Sequence, residues 1–217
     1  MAKTSPVGRA APSTARKRQP PEVRRAMIID AAREIIAAQG MHATTIRDIA
    51  SAAGVAVGTV TYHFSGIAEV LAGVLQAEME QYSAPIMQAS AEASSGIAGL
   101  RTLTDGLLAD GDRATEHWKL WLDFWTLAAH LPHYSDWQSQ EVYRDLHALA
   151  ADLLTRGFDD GSLPGVIDPE RQAIEYIALM DGLVIQAYLP GSRLTSVQAR
   201  ALLAGYVDMM AVPPTTT

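Results

Sequence analysis

The chain has 217 residues, 48% of them hydrophobic, with a formal net charge of −7 and no cysteine. That composition allows a sizeable buried core in one or two domains, and it excludes a disulfide framework, a thiolate metal site and a cysteine redox centre. No run is long and apolar enough to span a bilayer and no charged-then-apolar leader is evident, so no membrane partner is expected and the expected compartment is the cytoplasm.

The charge is unevenly spread. Residues 1–65 carry nine Lys and Arg against four Asp and Glu, whereas the remainder carries eight against twenty. A basic head on an acidic body suits a phosphate-binding domain attached to one that does not touch nucleic acid. Residues 1–20 set Arg16-Lys17-Arg18 among Pro, Ser and Ala, which predicts a disordered basic arm. That arm is either a solvated tail or a contact to phosphates or the minor groove. Pro20-Pro21 then opens a helix in which Ile28, Ala31, Ala32, Ile35 and Ile36 share one face, and Gly40 ends it.

Thr44 to Phe64, TTIRDIASAAGVAVGTVTYHF, reads as two short helices joined by a tight turn. Thr45 is an N-cap with Asp48 three residues on, a capping-box pair. Ile49 and Ala50 give one packed and one small position, and Gly54 stands where the chain must turn through positive φ. Val55, Val60 and Phe64 supply the apolar side of the second helix. In a helix-turn-helix this second helix enters the major groove. Val57, Gly58, Thr59, Thr61, Tyr62 and His63 are then the candidate DNA-facing residues, with Thr45, Arg47 and His63 assigned to phosphates. A helical hairpin without a ligand is the alternative, but cap, glycine, apolar spacing and local charge all agree on double-stranded DNA.

This stretch resembles the N-terminal domain of the tetracycline-repressor (TetR) family of bacterial one-component regulators, whose motif ends in a similar aromatic-His-Phe run. One position departs. Three residues after Phe64, where the family usually carries Lys, this chain has Ile67, so that phosphate contact does not carry over.

Beyond Phe64 a connecting helix is predicted from Ile67 to Tyr82, with Ile67, Val70, Leu71, Val74 and Leu75 in one stripe and Pro85 as its break or kink. Leu100, Leu103, Leu107 and Leu108 mark the next helix, which stops near Gly111. The segment EHWKLWLDFWTLAAHL follows, with Trp118, Trp121 and Trp125 on one face, and Pro132 ends it. Ser135 with Gln138 caps a long helix toward Gly157 and Gly161. Asp168-Pro169-Glu170 starts another, terminated by Pro190-Gly191. Thr195 with Gln198 caps the last, which runs to about Met210. No strand-like alternation of useful length occurs, so the fold class is all-α: an N-terminal three-helix helix-turn-helix domain followed by a helical-bundle domain for ligand binding and dimerisation. The expected divisions are 1–20 (arm), 21–66 (DNA-binding domain), 67–212 (effector and dimerisation domain) and 213–217 (tail).

The last two helices are apolar on several sides, which predicts a homodimer through a two-fold four-helix seam. The resemblance to TetR-type proteins runs the whole length and implies the same arrangement. The runs WLDFW and DPERQAIEYIALMDGL are similar to the subgroup typified by the choline-responsive regulator BetI. An aromatic-walled pocket for a small organic effector is expected, with Trp118, Trp121, Trp125, Asp123, Tyr143 and His147 as candidate lining residues. Asp181, beside Gly182, is read as a structural acid at the dimer seam. His130, His133 and the Glu116-His117 pair lack metal-ligand spacing, and no catalytic or phosphate-loop motif is present, so no metal, cofactor or enzymatic activity is expected. The function expected is that of a ligand-responsive homodimeric regulator, a repressor of a palindromic operator. A helical small-molecule-binding protein or enzyme whose N-terminal domain only mediates assembly is the competing class.

Overall fold

Pro20 and Pro21 fix the entry of the first helix, because proline's locked φ suits the first helical turn and its missing N–H costs nothing there. This helix, α1, spans Pro21–Gln39 and buries Ile28, Ala31, Ala32 and Ile36; Ile35 is only half-buried. The computed structural model describes residues 20–129, 139–189 and 191–213, with the side chains of 139–143 excepted. The basic cluster of the arm, His130, Pro132, His133, the Ser135–Gln138 pair and the side chain of Tyr143 lie outside the described residues. Among the described residues every regular element is helical, and no helix is long and apolar enough to cross a membrane.

After α1 the chain turns at Gly40 (φ 85°) into a short 3-10 turn, Met41–Ala43. Then come α2 (Ile46–Ala52), α3 (Val57–His63) and α4 (Ile67–Glu78). Pro85 does not break the chain. It sits in the first turn of α5 (Ala84–Ala91), and the widened π-helical turn Met79–Ser83 precedes it. A proline ring crowds the carbonyl four residues back and offers it no N–H, and one wider turn relieves both problems.

The body is completed by α6 (Gly96–Leu107), α7 (Asp112–Ala128), α8 (Ser139–Asp159), α9 (Pro169–Tyr188) and α10 (Ser196–Met210). Caps written into the sequence start three of them. Ser95 Oγ accepts from Ala98 N–H, Asp168 Oδ1 from Arg171 N–H at 3.1 Å, and Thr195 with Gln198 forms a complete capping box. One continuous core runs from Ile28 and Phe64 in the head through Leu75, Leu103 and Trp118 to Tyr176 and Leu203.

The start of α6 meets α8 so closely that only glycine fits. A Cβ on Gly96 would lie 2.2 Å from the backbone nitrogen of Gly157. The obstacle is backbone and cannot swing aside, so Gly96→Ala is expected to cost about 2–3 kcal/mol, the upper part of the usual range for overpacking. Urea titration would show it as a lowered midpoint; an unchanged midpoint would mean the two helices part without cost.

Candidate nucleic-acid interface and effector cavity

The head is set by local chemistry. Thr45 Oγ1 accepts from Asp48 N–H at 3.3 Å, while Thr45 N–H donates to Asp48 Oδ2 at 2.9 Å, so α2 begins on a full capping box. Gly54 makes the turn at φ 63°, and Val55 N–H returns to Ala50 O at 2.9 Å. Ile49, Ala50, Val60 and Phe64 are buried and pack α3 against α2 and α1. What remains outside is the polar face of α3: Tyr62 is 78% exposed, and Val57, Gly58 and Thr61 are exposed beside it. Thr59 and His63 are half-buried, with the His63 ring edge-on to Tyr62 at 5.1 Å.

Two candidate phosphate contacts behave differently. Arg47 is exposed on the first turn of α2. Thr45, by contrast, gives its backbone donor to Asp48 and has its hydroxyl 2.6 Å from the same carboxylate oxygen. Both donors are committed, which makes Thr45 a helix cap here. Ile67 is half-buried against the core. A residue the motif did not mark holds the recognition helix: Arg25 on α1 donates to His63 O at 2.7 Å, pairs with Glu69 at 3.1 Å and lies 4.1 Å above the Phe64 ring.

Head and body meet at a buried carboxylate. Glu78, at the end of α4, is 0% exposed. Its Oε2 accepts from Arg33 Nε of α1 at 3.0 Å, and its Oε1 meets Arg113 Nη1 and, at 2.9 Å, His117 Nδ1, both from α7. Arg33 Nη2 also donates to Glu116 of α7 at 2.8 Å. Burial pushes the Glu78 carboxyl up, but the hydrogen bonds from His117, Arg113 and Arg33 together outweigh it and hold it down at about 2. Burial holds the His117 imidazole below its usual range, against the pull of Glu78. A second tie lies apart from this one, where Met41 N–H donates to Asp123 Oδ2 at 2.9 Å.

Beside His117 opens a narrow apolar cavity of about 40 Å³. Trp118, Trp121 and Trp125 of α7 form one wall; Met79, Met87, Leu146 and Met180 supply the soft remainder, and Asp181 of α9 contributes a carboxylate. Trp118 is pinned by its Nε1 donating to Leu107 O at 2.7 Å. Of the candidate lining residues the structure brings the three tryptophans together. Asp123 does not join them, because its carboxylate faces the 3-10 turn of the head. His147 lines a separate surface depression with Arg144, Asp152 and Glu170. Asp181 lines this cavity rather than standing only at the seam. The sequence offered one sign of the missed cluster: Glu78 continues the apolar stripe of Leu71 and Val74, where a carboxylate must find partners.

An exposed recognition helix on a three-helix head, joined to a helical body that encloses an apolar cavity, defines a helix-turn-helix transcriptional regulator. Comparison with known proteins gives the family. Residues 28–74 match the model of bacterial regulatory proteins of the tetR family, and residues 96–212 match that of the BetI-type transcriptional repressor, C-terminal. The chain belongs to the TetR family, with a BetI-type C-terminal domain. It is 26% identical over 200 residues to the HTH-type transcriptional regulator BetI of Burkholderia mallei (strain NCTC 10229), covering 88% of this chain and 95% of that one. BetI of Serratia proteamaculans (strain 568) is 27% identical over 191 residues, covering 85% and 91%. A transcriptional regulator from Saccharomonospora viridis, crystallised in complex with choline, superposes with TM-score 0.78 at 24% identity, covering 86% and 96%. A TetR regulator from Haloarcula marismortui does so with TM-score 0.77 at 21% identity, covering 87% and 98%.

Proposed function

We propose that this protein is a homodimeric repressor that holds a palindromic operator and releases it when a small organic effector enters the tryptophan cavity. In this reading residues 21–66 are the DNA-reading head and 67–212 the sensing and dimerising body, working in the cytoplasm beside the chromosome. Val57, Gly58, Thr59, Thr61 and Tyr62 read base edges, with Arg47 and His63 on phosphates. The observation that carries the proposal is spatial: α7 walls the cavity with its tryptophans and, through His117 and Arg113 on Glu78 of α4, reaches Arg33 on α1 of the head. An occupant that moves α7 therefore moves the head.

Indole faces attract positive charge, and Asp181 of α9 adds a carboxylate to the lining, so an organic cation suits the cavity. Choline, the ligand of the Saccharomonospora viridis protein, is the first compound to test. The experiment selects a duplex from a random pool with the purified protein, then titrates choline and related ammonium compounds into the complex. Tyr62→Ala is expected to weaken the selected duplex by about 1–3 kcal/mol while leaving non-specific DNA almost unchanged. Equal loss on both DNAs would remove Tyr62 from base reading. Release should need far more effector in Trp121→Ala; release at unchanged concentration would make the tryptophans core alone.

A further inference from the structure

We infer that Glu78 is the coupling residue of this protein, carrying the state of the cavity to the head by holding His117 on one oxygen and Arg33 on the other. The inference rests on the reading just given, in which the cavity takes an effector and the head holds DNA.

The contacts divide by oxygen: Oε1 takes His117, with Arg113 of the same helix beside it, and Oε2 takes Arg33 of α1. His117 belongs to the cavity wall, is 1% exposed, stacks on Tyr82 at 4.1 Å and meets Trp118 edge-on at 4.9 Å. Its Nδ1 is committed to Glu78 Oε1, so only Nε2 can address an occupant. A ring packed this tightly cannot be displaced without carrying Nδ1 with it. A carboxylate is a rigid planar unit, so when Oε1 follows Nδ1, Oε2 moves as well. Glu78 has no contact with solvent that could replace a lost partner, and an unmade bond in such a place is expensive. Arg33 Nε on Oε2 must then follow or let go.

From Arg33 the path continues through one rigid helix. Arg25 lies eight residues earlier on α1, roughly 12 Å at the helical rise, and donates to the last carbonyl of the recognition helix at His63. Cavity, His117, Glu78, Arg33, α1 and α3 thus form an unbroken series of contacts. The tie between Asp123 and Met41 also joins α7 to the head, but Asp123 does not line the cavity. It is the natural control.

Coupling is reciprocal, so DNA on the head must alter the cavity wall as surely as an effector alters the head. This permits a test without a known effector. Hydrogen exchange of the full chain is measured over residues 112–128, with and without a duplex that the protein selects from a random pool. The expected result is a change of at least about fivefold in the native chain and in Asp123→Asn, in line with typical coupling. Glu78→Gln and His117→Asn, each verified as folded by circular dichroism, should bind the duplex and leave this segment at its DNA-free rate. A native-sized response in both variants would overturn the assignment. So would loss of the response in Asp123→Asn, which would make it a property of the whole joint. A native chain that binds duplex without any response in α7 would refute coupling while leaving DNA binding intact. A native chain that selects no duplex would instead bring down the function proposed above, and this inference with it.

Discussion

Glu78→Gln is expected to destabilise the fold by about 2–4 kcal/mol at neutral pH and to lose that penalty in acid. Removing one member of a buried ionic group typically costs about 3–5 kcal/mol, because the partners are left uncompensated. The lower figure applies here because the Arg113 side chain is 42% exposed and regains water. The pH dependence follows from the direction of each shift. The native Glu78 carboxyl sits at about 2, below its ordinary 4.5, so the unfolded chain binds the proton first on acidification. Its contribution, on the order of 3 kcal/mol, is therefore complete above pH 4.5 and lost as pH falls toward 2. His117 works in the same direction. Burial keeps it neutral while the unfolded imidazole protonates below about 6.5, so acid weakens the fold from there downward. The groups share bonds and titrate as a set. Urea midpoints at pH 7.5, 5.5 and 3.5 would test this: the gap between native and Glu78→Gln should persist from pH 7.5 to 5.5 and narrow by pH 3.5, since a protonated carboxyl resembles the amide. A gap that is constant with pH would show that Glu78 does not carry its charge in the native state.

The elements legible in the sequence were those whose partners lie within one turn. Thr45 with Asp48, Thr195 with Gln198, and Asp168 before Pro169 all cap the helices they were expected to cap. Gly40 and Gly54 turn where only positive φ serves. Helical periodicity likewise placed Ile49, Val60 and Trp121 indoors. What it could not supply was the identity of a distant partner. Glu78 meets Arg33, Arg113 and His117 across separations of 35 to 45 residues, and no local pattern records such meetings. Asp123 illustrates the same limit, because it lies two residues from Trp121 and Trp125 yet points from another side of α7 to Met41. Asp181 sits in a helix apolar on several faces, where periodicity alone cannot choose between cavity and seam. Pro85 was legible as a disturbance, but its accommodation by a widened turn depends on how α5 packs.

Charge placed on the outer stripes of α9 and α10 is expected to abolish the dimer and weaken a two-half-site duplex by roughly 10²–10⁴-fold, the gain that a tethered second head provides. In the single chain Ile174, Ala178 and Ile185 of α9, with Leu189 just past its end, are exposed at helical spacing, and Gly182 between them is half-covered. Val197, Ala201, Gly205 and Met209 do the same on α10. Such stripes on neighbouring helices are what a helical bundle buries against a partner. The two glycines point the same way. A glycine within a helix costs about 1 kcal/mol relative to alanine, and a Cβ at Gly182 or Gly205 would meet nothing within 4 Å in the single chain. Close approach by another helix gives these positions a physical use. A permanent two-fold seam buries on the order of 2,000 Å² or more, which two such helices from each chain can supply. Ile185→Asp and Leu202→Asp are the informative changes, because both side chains are exposed in the protomer, at 43% and 55%. Leu203, its neighbour in sequence, is 0% exposed and part of the internal core, so a charge there would unfold the chain instead of separating two copies. Sedimentation velocity at micromolar concentration should give a dimer for the native chain and a folded monomer for the double variant. The monomer should still bind a single half-site about as well as one native head does. A native chain that sediments as a stable monomer would refute the seam, and a dimer that survives both substitutions would place it on other helices.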